Sequence, residues 1–586
     1  MKKQIEKLIQ EALKSLDINE VNFSIEHPTD FNNGDYSTNV AMVCAKQMKT
    51  NPRDLAEKIV ALLQTPSAFG ISPLAGGENT LSIISKIQVA GPGFINFYLS
   101  REFFANNIND ILKQKENWGK NKILEGKKVM VEYTDMNPFK PFHIGHLMTN
   151  AIGESVSRIV EFSGADTIRA NYQGDVGPHV AKAIYGILNS KEYKELGFKN
   201  INGSVSQISN WIGGCYANGS NLMDTSEDIK REIERINKAV YEKSDEEVNT
   251  VYEWGMDITM RAFEEIYKIL GTKFDRYYME SVMAPIGEKI VKENLGKVFT
   301  ESDGAIVFHG ENFDKKLHTR VFMNSQGLPT YETKEIGLTI TKFEKDNPDI
   351  SIITTAIEQA EYMKVVQKAI SLIHPDLESR MKHITHGMMK FAFGKMSSRK
   401  GNVITGQSLL NDSISVVLEK MKDREMTEEE KKKTSEIVGI SALKYSILRS
   451  SLGSDIIYDF EKSISFEGDS GPYLQYTSVR ANSIIKKSES MKIGDSNDIP
   501  ESITLLERYL YQFPEVVEHS YDKLEPHHIA TYLTELASSF NSFYGNTQIL
   551  VEENKYINYH LNLIKAFTST MKNGLWLLGI KIPERM

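Results

Sequence analysis

The stretch KKVMVEYTD, residues 127–135, taken with the prolines just after it, limits this chain's possible folds most. The run is β-rich and apolar, and Asn137-Pro138 and Pro141 then disfavour helix for the residues before them. The spacing therefore predicts a helix that begins at or after Phe142, with Leu147, Ile152 and Val156 on its apolar side. A strand, a short loop and a helix open a βαβ unit. DTIRANYQGDVGPHVAKAIYGIL repeats that order around a glycine-rich turn, and GAIVF, TRVFM, DISIITTAI and MKHITHGMM supply further strands between helical patterns. The expectation is an α/β parallel-sheet domain over 122–410, interrupted from about 182 to 290 by a mostly helical insertion.

The flanks read differently. MKKQIEKLIQEALKSL places Ile5, Leu8, Ile9, Ala12, Leu13 and Leu16 at helical spacing, and LSIISKIQVA and FINFYL alternate like strands on either side of Gly91-Pro92-Gly93. Residues 1–115 are thus expected to form an α+β domain, with a charged helical link into the next. Beyond GQSLLND the spacing is helical to the end, so 411–586 is read as an all-α bundle. TEEEKKKTSE is a charge run whose reading is a solvated helix face.

A length of 586 residues calls for several cores. No run of about 18 apolar residues occurs, so no membrane partner is expected, and the N-terminus has neither a secretory nor a transit composition, which makes cytoplasmic residence the expectation. Cys44 and Cys215 are far apart, form no zinc pattern and are read as buried thiols. The net charge of −9 argues against chain-wide attraction to nucleic acid, so any such partner needs local basic patches.

Two segments carry chemistry. In KPFHIGHLMTN, His143 and His146 stand three apart at a helix start, where unpaired backbone N–H groups and imidazole N–H groups can stabilise charge on a phosphate. Gly145 leaves room for an adenine or ribose against the backbone. FGKMSSRKGNVITG sets Lys395, Arg399 and Lys400 with Ser397 and Ser398 between glycines, a cationic loop suited to a polyphosphate. Each segment alone also has a bland reading, the first as a chance string of structural histidines and the second as a solvated basic turn.

H-I-G-H followed by K-M-S-S-R resembles the two signatures of class I aminoacyl-tRNA synthetases, whose Rossmann-like domain activates an amino acid with ATP. VEYTDMNPFKPFHIGH, FNNGDYSTNVAM with VAGPGFINF, and GPYLQYTSVR, FNSFYG and LLGIKIPERM are similar to segments of the arginyl-tRNA synthetase family, so the resemblance runs end to end. It implies arginine, ATP and tRNA(Arg) as partners, Mg²⁺ riding on the ATP phosphates, no zinc, and a monomer. It also implies attack by the 2′-hydroxyl of the terminal adenosine, and activation that waits for bound tRNA.

For sites, the resemblance implies catalytic roles for His143, His146, Lys395 and Lys400, and ATP contacts from Lys140, Gly145, Met396, Ser397 and Ser398. Arginine falls to Tyr331 and Glu335, four apart on a helix, with Gln359, and with Asn137 at the amino-acid end. Glu335 departs from the family's Asp by one methylene. Asp175, in a Gly-Asp-x-Gly turn, bonds either backbone or substrate. Family members often have Trp at Val176 and Gln at His179. For tRNA, Phe94 and Asn96 match D-loop positions, and Tyr473, Tyr476 and Arg480 suit an anticodon base.

Overall fold

In a computed structural model the 127–135 run becomes a strand, Lys128–Glu132, at the centre of a five-stranded sheet whose pairings are all parallel. The structure describes the chain except residues 19–20, 65–82, 392–404, 492, 495, 497 and 552, and describes Lys199 by its backbone alone. The strand order is Met381–His386, Ile350–Ala356, Lys128–Glu132, Asp166–Gln173, Arg276–Met279. Chain order reverses on either side of Lys128–Glu132, so the sheet is doubly wound. The crevice beyond the carboxyl ends of Lys128–Glu132 and Ile350–Ala356 is its switch point, where such sheets bind ligands.

The helix Ile144–Phe162 returns over this sheet. Gly153 lets it approach closely, since a side-chain carbon there would lie 2.2 Å from Tyr133 Cβ. Helices Val205–Met223, Glu227–Glu242 and Glu246–Leu270 occupy much of the 182–290 span and share a core with Ile184, Ile212, Ile233 and Val251. The strand Arg276–Met279 also falls inside that span yet belongs to the parallel sheet. Its sequence, RYYM, is too short to show a period. GAIVF and TRVFM are strands too, but they join Thr300–Ser302 in a separate antiparallel sheet.

The chain divides into two compact units. One comprises Met1–Trp118, Ala481–Phe513 and Glu535–Thr570; the other comprises Gly119–Arg480, Pro514–Thr534 and Met571–Met586. The first holds a four-stranded antiparallel sheet in the order Ile25–Glu26, Tyr36–Thr38, Phe94–Leu99, Ile84–Ala90, covered by the Lys2–Lys14 and Pro52–Gln64 helices. Cys44 and Cys215 are buried free thiols. Among the described residues no helix is long and apolar enough to cross a membrane.

Candidate active site at the sheet switch point

His143 is the N-cap of the Ile144–Phe162 helix. Its Nδ1 accepts the His146 backbone N–H at 3.3 Å, and the His146 Nδ1 accepts the His143 N–H at 3.4 Å. This reciprocal cap is usually built from Ser or Thr and Glu; here two imidazoles build it. A ring nitrogen that accepts from an amide carries a lone pair, so in each neutral ring the proton sits on Nε2. The rings stack with centroids 3.4 Å apart. Burial pushes both imidazoles below their ordinary value, His146 furthest, and the Lys140 charge adds to the effect on each. At neutral pH the pair is therefore uncharged and offers two Nε2–H donors. A side-chain carbon at Gly145 would lie 3.1 Å from the His143 ring. A side chain at this position would therefore crowd the imidazole.

The loop leading in is strained. Thr134, Asp135 and Phe139 have φ of 79°, 48° and 66°, left-handed values that cost non-glycine residues roughly 1–3 kcal/mol each and gather at functional sites. Each is held. The Asn150 amide donates to Thr134 Oγ1 at 3.0 Å, and the Tyr172 N–H to Asp135 Oδ1 at 2.8 Å. Phe139 is buried against Gly255, where a side-chain carbon would meet its ring at 2.2 Å. Lys140 leaves this loop with its ammonium 5.5 Å from the Tyr216 ring.

Asn137 reaches the next turn: a side-chain carbon at Gly174 would lie 2.2 Å from Asn137 Oδ1 and 3.5 Å from Glu280 Oε1. Asp175 is an architectural clip, accepting from Tyr252 Oη at 3.0 Å, Ser281 N at 2.9 Å and Ser281 Oγ at 2.6 Å. His179 Nε2 donates to the Gly174 carbonyl at 2.7 Å, and burial pushes its imidazole to about 4. Val176 is buried.

Carboxylates collect behind this turn. Glu132 pairs with Lys342, and Glu280 with Lys334 at 2.9 Å. Glu335, on the Tyr331–Asp346 helix, is buried; burial pushes its carboxyl up to about 7, the Glu132 charge adding to the rise and Lys342 opposing it. Burial and Glu132 also hold the Asp135 carboxyl well above the usual range. Tyr331 opens the same helix and is 62% exposed, with the Lys334 ammonium 5.1 Å from its ring. Gln359 is exposed in the turn after Ile350–Ala356. Sequence reasoning missed Lys334, Glu280 and Lys342.

Lys395, Met396, Ser397, Ser398 and Lys400 lie outside the described residues. Just beyond them, the Gly406 N–H donates to the Phe142 carbonyl at 2.9 Å, and a side-chain carbon at Gly406 would lie 2.9 Å from the His143 carbonyl. The chain thus arrives beside the histidine cap immediately after the second segment.

Of the residues read for tRNA, Phe94 is 39% exposed, whereas Asn96 is buried and its Oδ1 takes the Ser37 hydroxyl at 2.7 Å. Tyr473, Tyr476 and Arg480 follow one another on the Gly471–Ser488 helix, and the Arg480 guanidinium lies 5.7 Å from the Tyr476 ring. Tyr476 also lines a cavity of about 240 Å³ with Lys420, Arg424, Phe466 and Met586, which no local sequence pattern announced.

Comparison with known proteins agrees along the whole length. The model described as tRNA synthetases class I (R), catalytic domain, matches residues 107–460. The arginyl tRNA synthetase N terminal domain matches 3–99, and the DALR anticodon binding domain 474–586. Arginine–tRNA ligase of Fusobacterium nucleatum is 33% identical over 95% of this chain and 94% of its own. That of Clostridium perfringens is 30% identical over 99% of each. Among solved structures, Thermus thermophilus arginyl-tRNA synthetase superposes with a TM-score of 0.80 at 21% identity over 100% of both chains, and the Plasmodium falciparum enzyme with 0.78 at 21% over 100% and 99%. With a matching catalytic model over more than half its length and relatives that match end to end, the chain belongs to the arginyl-tRNA synthetase family.

Proposed function

We propose that the chain is an arginine–tRNA ligase that activates arginine with ATP and transfers it to tRNA(Arg), releasing AMP and pyrophosphate. The observation that carries the chemistry is the uncharged histidine pair, each ring holding an Nε2 proton at the switch-point end of the sheet. The arginine carboxylate attacks the α-phosphorus in line. One carboxylate O–P bond forms as the bond to pyrophosphate breaks, and the His143 and His146 Nε2–H groups stabilise charge growing on the α-phosphate. Lys395 and Lys400 hold the β and γ groups, and Mg²⁺ enters with them. Lys140, Gly145, Met396, Ser397 and Ser398 seat the nucleotide.

Glu335 takes the guanidinium, Tyr331 and Gln359 flank it, and Asn137 holds the amino-acid end. The 2′-hydroxyl of the terminal adenosine then attacks the carbonyl, and AMP leaves with the bonding electrons. Phe94 meets the D-loop, and the buried Asn96 holds that strand in place through its bond from the Ser37 hydroxyl. Tyr473, Tyr476 and Arg480, with the adjoining cavity, receive an unpaired anticodon base by stacking and cationic contact. The reading takes the enzyme as a cytoplasmic monomer.

Arginine-dependent exchange of labelled pyrophosphate into ATP, with and without tRNA(Arg), tests it. Exchange is expected with arginine and to need tRNA. His146→Asn, which keeps an acceptor near the His143 N–H but displaces the donor, is expected to lower the rate about 10²–10³-fold with an unchanged circular dichroism spectrum. Exchange with another amino acid but not arginine overturns the specificity, and an unaffected His146→Asn rate overturns the role of the pair.

A further inference from the structure

Residues 519–528, HSYDKLEPHH, turn one helix into the next, and no step of arginine activation or transfer uses them. The helix Phe513–Lys523 ends at Leu524, whose φ is +55°. The Leu524 N–H donates to the Tyr521 carbonyl and the Glu525 N–H to the Ser520 carbonyl, both at 3.0 Å. These two bonds close a helix end on itself, here with leucine in the left-handed position that glycine usually takes. The Ser520 hydroxyl adds a bond of 2.7 Å to the Glu525 carbonyl. Pro526 comes next, and its carbonyl accepts from Ile529 and Ala530 N–H as the helix His527–Asn546 begins. A turn tied at so many points holds its side chains in register too.

Those side chains converge. Glu525 Oε2 lies 3.5 Å from His527 Nδ1 and 3.2 Å from His528 Nε2. The His527 and His528 rings are 4.0 Å apart, and the His519 ring is 4.3 Å from that of His528. Both facing nitrogens, His527 Nδ1 and His528 Nε2, are shielded from water, and neither makes a well-aligned hydrogen bond. The three side chains remain between 19% and 29% exposed, so an ion from solvent can reach them.

We propose that Glu525, His527 and His528 form a site for a divalent transition-metal ion of the zinc type, clamping the end of one helix to the start of the next. Zinc bonds of about 2.0–2.1 Å in a tetrahedron place neighbouring ligand atoms about 3.3 Å apart. The two oxygen–nitrogen separations bracket that value, and the three ligand atoms all lie within 4.8 Å of one another, so a small ring rotation completes the set. Two imidazoles and one carboxylate suit zinc and its neighbours cobalt and nickel; magnesium and calcium prefer oxygen throughout. Water takes the fourth position. The absence of a cysteine pattern does not bear on such a site, because it needs no thiolate.

The test uses the full-length chain freed of metal by chelation. Calorimetric titration with Zn²⁺ in excess Mg²⁺ is expected to show a site that His528→Gln and Glu525→Gln each weaken by at least about tenfold, the scale at which even outer partners of a metal site count. Co²⁺ is expected to give the visible absorption of a tetrahedral site in the parent and to lose it in His527→Gln/His528→Gln. That double variant should still melt cooperatively without metal and catalyse pyrophosphate exchange, which shows that it folds. Zn²⁺ binding unchanged in the double variant, or no binding by the parent, overturns the proposal.

Discussion

Glu335 sits among carboxylates whose charges are already answered, Glu132 by Lys342 and Glu280 by Lys334, while it accepts a bond from Thr339 Oγ1 at 3.5 Å. On the proposed reading, an incoming guanidinium supplies a counter-charge beyond that of Lys342. Burial raises the Glu335 carboxyl to about 7, so on that reading it must lose a proton to bind arginine well. Arginine KM is therefore expected to fall as pH rises toward about 7, by up to tenfold per unit, and to level off above it. Removing one partner of a buried charge pair costs about 2–5 kcal/mol, so Glu335→Gln should raise arginine KM at least about 30-fold and flatten this pH dependence. A KM that ignores pH between 6 and 8 in the parent would remove Glu335 from the guanidinium site. The histidines were legible in the sequence because their three-residue spacing survives folding. The lysines that answer Glu132 and Glu280 were not, because each pair joins residues from two separate elements, and no local pattern records such a meeting.

Elements with a strong local period read well. The strand Lys128–Glu132, the helix after it, and the hairpin of Ile84–Ala90 with Phe94–Leu99 all follow from alternation, prolines and glycines. What escaped was how helix ends are closed over long distances. The Glu246–Leu270 helix ends against Lys444, whose ammonium donates to the Leu270 carbonyl at 2.6 Å and the Gly579 carbonyl at 2.8 Å. Arg158 does the same for Gly271 at 3.1 Å and Trp576 at 2.9 Å. Cations placed on the last carbonyls of helices satisfy acceptors that the helices cannot. Lys444→Met would keep the packing and leave two carbonyls without their donor, at a cost of about 1–3 kcal/mol in urea denaturation. Burial, with Arg158 beside it, pushes the Lys444 ammonium down to about 7. Between that value and the ordinary lysine value the unfolded chain binds the extra proton, so the stability Lys444 contributes rises with pH across that window. The deficit of the variant should widen accordingly from pH 7 to 10; a deficit that shrinks would contradict the buried assignment.

At the scale of the whole chain, sequence order and spatial grouping part company. Periodicity sets 1–115 and 411–586 apart as separate bodies, yet Ala481–Phe513 and Glu535–Thr570 pack with Met1–Trp118 in one compact unit. Tyr511 belongs to the same core as Tyr36, Phe97 and Phe104, and periodicity cannot foresee a contact between segments hundreds of residues apart. The joint centres on Asp35, which is fully buried. Its Oδ2 takes the Leu99 N–H at 2.7 Å and its Oδ1 the Arg508 guanidinium, which also lies 5.5 Å from the Phe31 ring and 5.6 Å from Phe104. Beside it Arg101 bonds Glu507 and Tyr559. Breaking a buried pair from one side leaves a charge without its partner and costs about 3–5 kcal/mol, whereas replacing both sides by neutral groups costs far less. Arg508→Leu should therefore loosen amide protection across the Ile84–Leu99 hairpin by that amount in hydrogen exchange, and Asp35→Asn/Arg508→Leu should recover most of it. If the single variant cost less than about 1 kcal/mol, Asp35 would be neutral in the folded chain, and the joint would rest on the aromatic core around Tyr511 instead.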